Sequence, residues 1–424
     1  MINQASVRAV DASSFSKDFR MPLYDSYNFA NIPGTIEHAL LGDSDLRMLP
    51  IDVLGSHTGS YDKVVLLFVD AFGWRFFDRY KDRYPFLKRV IAQGVASKLT
   101  SQFPSTTAAH VTTIHTGERV DKSGVFEWFY YEPKLDAVIA PLLFSFAGKK
   151  ERNNLATTGI DPREIYPTHT FYERLARRDV RSFIFQSKEY TPAPYTDVTG
   201  AGATIVPFTT LPEALTNLVA AVRDQKGKAY FYFYFDKIDT IGHNYGPDSP
   251  QFEAEVDAFL TTLERLLYEP LAGTCGKTLL LMTADHGQVT VDPKTTVYLD
   301  KEIPEIRSWI KTNKAGQLLA PGGSGRDQFL YIREEHLDEA YERLGEFLAG
   351  TAEVYKVSDL LAQGLFGDEP SDLLKSRIGN LCVLSNEHSY VWWSGEGTFE
   401  KHHWGHHGGM SPLEMETILL ALPL

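Results

Sequence analysis

Aspartates and histidines of the kind that bind divalent cations recur along this 424-residue sequence: Asp70, Asp239, His243, Asp285, His286 and the cluster His402, His403, His406 and His407. Mixed carboxylate and imidazole sets suit zinc or manganese, whereas an all-oxygen set would suit magnesium or calcium. Asp239 and His243 stand four apart, so on a helical turn both side chains project from one face toward a shared ion. Asp285 and His286 are adjacent, and a turn at a strand end directs both inward. Each fragment also has a plainer reading: Asp70 as a helix cap, Asp239 with His243 as a surface hydrogen-bonded pair, and Lys401-His402-His403-Trp404 as a polar turn. Taken jointly, the set favours a metal site.

The segment Phe103-Pro104-Ser105-Thr106-Thr107-Ala108-Ala109-His110, followed by Val111 to Gly117, reads as a loop entering a helix at the two threonines. The plain reading is a threonine N-cap. The functional reading is a hydroxyl nucleophile at a helix N-terminus, where a metal lowers its pKa and the free amides and helix dipole favour a phosphoryl group. The two readings are compatible. Arg326, in Gly323-Ser324-Gly325-Arg326-Asp327, either reaches into the site to grip phosphate or faces solvent after a turn. The glycines here lack the spacing and the Lys-Ser/Thr of a P-loop, and no dinucleotide fingerprint occurs. Tyr234 and Asp236 belong to the core sheet and its edge, with Asp236 suited to hydrogen-bond a ligand histidine.

These residues need elements that bring them together. Val64 to Val69, Phe231 to Phe235 and Thr278 to Met282 are short, continuous apolar runs, as expected of strands buried on both faces. Each is followed by acidic residues: Asp70; Asp236 and Asp239; Asp285. Apolar residues recur at three and four in Trp74 to Ile91 and Phe252 to Leu267, which predicts helices. The alternation predicts a doubly wound, mostly parallel α/β sheet flanked by helices, with ligands bound outside the C-terminal strand ends. Residues 118 to 200 and 295 to 400 fit the core less well and are expected to be insertions forming a cap on a single core spanning 1 to 424, and Thr417 to Leu422 reads as the last core strand.

Composition narrows the function further. Acidic residues outnumber basic ones by 55 to 42, a net charge of −13, which excludes a general grip on nucleic-acid backbone and makes bound cations the natural means of attracting an anionic substrate. No apolar stretch has the length of a membrane span, and the N-terminal residues lack a basic region followed by an apolar run. Two cysteines, Cys275 and Cys382, make no disulfide framework. A cytoplasmic protein with no membrane association is expected.

The order Asp70, then Pro104-Ser105-Thr106-Thr107 with Thr116-Gly117 following, then Asp239-x-x-x-His243, Asp285-His286-Gly287 and His407-Gly408-Gly409 resembles the alkaline phosphatase superfamily. It is most similar to the nucleotide pyrophosphatase/phosphodiesterase and phosphonoacetate hydrolase branches. The resemblance implies an alkaline-phosphatase-like core and two divalent ions, usually zinc with manganese an alternative. Asp239, His243 and His407 would hold one ion; Asp70, Thr107, Asp285 and His286 would hold the other. Thr107 matches the family's nucleophile better than Thr106 by its distance to Thr116-Gly117, and His407 rather than His406 directly precedes the paired glycines. The implied activity is hydrolysis of phosphate esters or anhydrides, small phosphate esters or nucleotides, through a covalent intermediate on Thr107. Trp128 stands where phosphodiesterase relatives carry an asparagine that donates to a phosphate oxygen; an indole is bulkier and offers no amide. Phosphomonoester or phosphonate hydrolysis, and a scaffold with a vestigial metal site, are the alternatives. The threonine argues against a sulfatase, and phosphomutase relatives carry serine there.

Overall fold

In the computed structural model, which describes residues 1–149 and 151–424, the apolar run at 64–69 forms strand β1 (Lys63–Val69), buried throughout. Six further strands complete the central sheet: β2 (Val95–Thr100), β3 (Arg181–Ser187), β4 (Ala203–Phe208), β5 (Ala229–Phe235), β6 (Thr278–Thr283) and β7 (Glu416–Pro423). Their spatial order is β2-β7-β6-β1-β5-β3-β4. From β6 to β4 every pairing is parallel, and β7 runs antiparallel to both β6 and β2. Along β1, Val64, Leu66 and Phe68 join one buried cluster and Val65, Leu67 and Val69 the other. Both faces are therefore covered, which explains why the strand has no polar alternation.

Register decides what the sheet delivers. Val69 of β1 pairs with Phe235 of β5, and Phe68 with Thr283 of β6, so the three C-terminal ends are level. Asp70, the segment from Asp236 and the Asp285-His286 pair consequently leave the sheet side by side. Two helices complete the site: α1 (Thr107–Thr116), after β2, and α2 (Lys237–Tyr245), after β5.

Two sequence expectations need correction. The helix expected across 74–91 is two helices, Trp74–Tyr80 and Pro85–Gln93, because Pro85 lacks an amide proton and suits only the first turn of a new helix. Residues 118 to 200 are not wholly outside the core: β3 is a strand of the central sheet, its short Phe183-Ile184-Phe185 run flanked by the polar Arg181, Ser182, Gln186 and Ser187. The earlier part of that segment forms a three-stranded sheet over 130–146. Within 295–400 lies a separate four-stranded antiparallel sheet, 322–323, 327–330, 381–385 and 352–356. Phe129, Val138 and Ala140 of the first segment share a buried cluster with Trp309, Leu330 and Trp392 of the second. Among the described residues, no helix is long and apolar enough to cross a membrane.

Candidate metal centre

Asp70 follows β1 directly and is 2% exposed. Its Oδ2 accepts a hydrogen bond from the Tyr234 hydroxyl, while Oδ1 has no hydrogen-bond partner and lies 3.5 Å from His286 Nε2. Asp285 Oδ1 accepts from the Ala71 and His286 amides at 3.1 Å each. Its Oδ2 is likewise unpartnered, 3.2 Å from His286 Nε2. His286 Nδ1 is 3.0 Å from the Gly287 carbonyl, which assigns the ring proton to Nδ1 and turns the Nε2 lone pair toward the two carboxylates. Thr107 Oγ1 lies 3.3 Å from the same nitrogen. Four electron-pair donors thus face one point, and the Thr107 hydroxyl can give its single proton to only one of the other three.

Burial, then the neighbouring Asp285, pushes the Asp70 carboxyl well above the usual range, and burial pushes Asp285 up to about 7. Burial holds His286 and His407 well below theirs, so both rings are neutral and free to ligate. Unpartnered buried carboxylate oxygens are costly, and a cation between them removes that cost. The donor set therefore fits a divalent ion.

Beside this cluster, Asp239 projects from the first turn of α2. Its Oδ2 is 3.2 Å from His243 Nε2, one turn on, and its Oδ1 is 3.8 Å from His407 Nε2. His243 Nδ1 donates to the Gly405 carbonyl at 2.7 Å and His407 Nδ1 to the Ser105 carbonyl at 3.0 Å, so both Nε2 atoms turn toward Asp239. Although burial opposes its ionisation, Asp239 is held below its ordinary value by His243. Gln288 Nε2 also donates to Asp239 Oδ1 at 2.5 Å. The His286 and His407 rings stack at 3.6 Å and join the two clusters. Ligand atoms of Asp239, His286 and His407 lie within 4.8 Å of one another, as do those of Asp70, Asp285 and His286.

The local fold explains these placements. A two-residue ladder pairs Val289 with His406 and Thr290 with Gly405, holding the His407 loop against the segment that follows Asp285-His286. Gly405 permits this approach, because a Cβ there would lie 2.3 Å from the Gly242 carbonyl oxygen of α2. Thr106 occupies the N-cap position without a side-chain capping bond, and Thr107 is the first helical residue. His110, one turn later, accepts from the Gln102 amide at 2.9 Å and donates from Nδ1 to the Thr106 carbonyl at 2.6 Å, bracing the threonine loop.

Other expected residues fall elsewhere. His406 Nε2 meets the His403 carbonyl at 2.9 Å and its ring packs on Tyr390, so it does not face Asp239. Trp128 is 36% exposed and lines the cavity above the cluster, a space of about 360 Å³. Arg326 neither grips phosphate nor faces solvent: it is fully buried, paired with Glu414 at 2.9 and 2.8 Å, and also donates to the carbonyls of Asn386 and Ser389. Asp236 binds Tyr190 and Lys237 rather than a ligand histidine. Tyr234, Gln288 and Ser105, which hydrogen-bond Asp70, Asp239 and His407, were not expected in these positions from the sequence. Alternation in Tyr230-Phe231-Tyr232-Phe233-Tyr234 is the one signal that sets Tyr234 on a common face with other hydroxyls.

The chain matches the family model for type I phosphodiesterase / nucleotide pyrophosphatase over residues 64–410. No curated protein sequence matches it. Among solved structures, an inactive variant of murine ectonucleotide pyrophosphatase / phosphodiesterase 5 in complex with AMP is similar at 18% identity and TM-score 0.62, over 85% of this chain and 88% of that one. The human protein of that name gives 18% and 0.61, over 85% and 87%. Phosphonoacetate hydrolase from Sinorhizobium meliloti in complex with phosphonoformate gives 17% and 0.59, over 84% and 89%.

Proposed function

The chain belongs to the type I phosphodiesterase / nucleotide pyrophosphatase family, and from that premise we propose that it hydrolyses phosphoesters at a two-metal site with Thr107 as nucleophile. The observation that carries this reading is the convergence of Thr107 Oγ1, Asp70 Oδ1, Asp285 Oδ2 and His286 Nε2 on one point. Asp70, Thr107, Asp285 and His286 would hold one zinc or manganese ion, and Asp239, His243 and His407 the other. Such ions, when bound, acidify hydroxyls and water and stabilise charge developing on phosphoryl oxygens.

The chain's own residues do the rest. Thr107 Oγ1 forms a bond to phosphorus as the bond to the leaving oxygen breaks, giving a phosphothreonine; water then cleaves it and restores the hydroxyl. The free amides at the start of α1 face the phosphoryl group and favour its negative charge. Burial keeps His286 and His407 neutral, their carbonyl partners fix which ring nitrogen carries the proton, and Tyr234 fixes the orientation of Asp70. The segments 118–180 and 295–400, which share one apolar cluster, would cap the site and set which ester arms fit. Trp128 on the cavity wall offers one indole proton in place of an amide, which favours substrates with a planar arm for it to stack on. Both cysteines are buried and unpaired, which supports a reducing, cytoplasmic setting.

Thr107→Ala tests the assignment. Hydrolysis of a bis-aryl phosphodiester is expected to fall at least about a thousandfold with folding and metal content retained. Near-normal turnover in that variant, with loss in Thr106→Ala instead, would move the nucleophile to Thr106.

A further inference from the structure

Each acidic side chain lining the cavity accepts at least one hydrogen bond, Glu127 from the Trp128 amide. Asp70 accepts from Tyr234, Asp239 from Gln288 beside His243, and Asp236 from Tyr190 and Lys237. Two cations line the same walls. Lys401 lines the cavity next to His403 and is partly buried, yet no carboxylate pairs with its ammonium group among the described residues; the adjacent Glu400 is taken by Lys301 at 2.6 Å. Arg152, exposed, stands over the Tyr190 ring at 5.7 Å and among the described residues donates only to the Glu189 carbonyl, at 3.4 Å. Burial pushes the Lys401 ammonium below its ordinary value, as expected of a cation that has lost water without gaining a counter-ion.

A half-buried cation without an anion is unfavourable in the free protein and becomes favourable when a ligand supplies the charge. Resting on the phosphoester reading of the site, we infer that Lys401, assisted by Arg152 at the rim, selects substrates that carry a second anionic group beyond the phosphoryl group under attack. Phosphate and carboxylate share the required chemistry. Lys401 lines the cavity together with His403, whose ring lies 5.1 Å from that of His243, which sets this second anion on the Asp239 and His243 side of the site. Trp128 and Tyr190 add apolar surface to the cavity walls, where a charge pair is screened less than in bulk water.

The test is equilibrium binding, independent of turnover. Benzylphosphonate, its para-carboxy derivative and its para-phosphono derivative are titrated calorimetrically into zinc-supplemented wild type, Lys401→Met and Lys401→Arg. A para anion should tighten binding to the wild type about tenfold. Lys401→Met should lose most of that gain and Lys401→Arg should keep it, and the better of the two para groups identifies the anion. Equal affinities for all three ligands in the wild type, or a preference that survives in Lys401→Met, overturns the inference. Turnover of a bis-aryl phosphodiester by the same preparations gauges the hydrolase reading separately: its absence beside an intact anion preference sinks that reading and leaves Lys401 an anion selector.

Discussion

A ligand is only as good as the group that orients it, and at the residue scale Tyr234 has that role for Asp70. Its hydroxyl occupies Oδ2 and leaves Oδ1 free toward His286. Tyr234→Phe removes the hydroxyl and little volume, so the expected result is a ten- to hundredfold weaker metal affinity or activity with the fold intact. Metal titration followed by activity measures it, and unchanged affinity would remove Tyr234 from the site. The clustered carboxylates and imidazoles were legible because few side-chain types suit a zinc or manganese site. Tyr234, Gln288 and Ser105 were not, because a group that hydrogen-bonds a ligand can be of many types; Tyr234 in an apolar run reads as core. Arg326 illustrates the converse, since an arginine beside glycines suggests an anion site until its buried carboxylate, 88 residues later, is seen.

At the scale of elements, Glu414 ties the ligand loops together. Its side chain accepts from the Gly409 amide at 3.0 Å, from Ser411 at 2.6 Å and from Arg326, while its carbonyl accepts from the Gly287 amide at 2.9 Å. Arg326→Met leaves that carboxylate buried and uncompensated, which should cost about 3–5 kcal/mol in urea unfolding. Adding Glu414→Gln should recover part of the loss, and a cost below 1 kcal/mol for the single variant would show the pair to be dispensable. Strands β1, β5, β6 and β7 were legible, with ends shifted by two residues or fewer, because burial on both faces leaves a continuous apolar run. The break at Pro85 was there to be read from proline's missing donor. β3 was hidden because Arg181 and Ser182 begin it with polar side chains and Gln186 and Ser187 end it, so the apolar stretch is only three residues long.

Considered whole, the molecule carries a net charge of −13 and gathers three aspartates at one end of its sheet, Asp70 and Asp285 buried and Asp239 half-buried. Ions bound there would offset both the general field and the local crowding, so folding and metal occupancy should be linked. Stripping metal with a chelator should lower the thermal midpoint by several degrees, and zinc at 100 to 1000 times its dissociation constant should restore about 3 to 4 kcal/mol. An unchanged midpoint would mean that the carboxylates are accommodated by protons instead. Fold class was legible in the alternation of strands and helices; the cap was not, because its shape depends on a four-stranded sheet whose pairing reaches from Asp327 to Leu384. The most direct test of the central claim is the rate of bis-aryl phosphodiester hydrolysis before chelation, after it, and after zinc is returned. Turnover that disappears and then recovers is the expected result, and turnover that persists in protein shown by elemental analysis to hold no metal would contradict a two-metal phosphoester hydrolase.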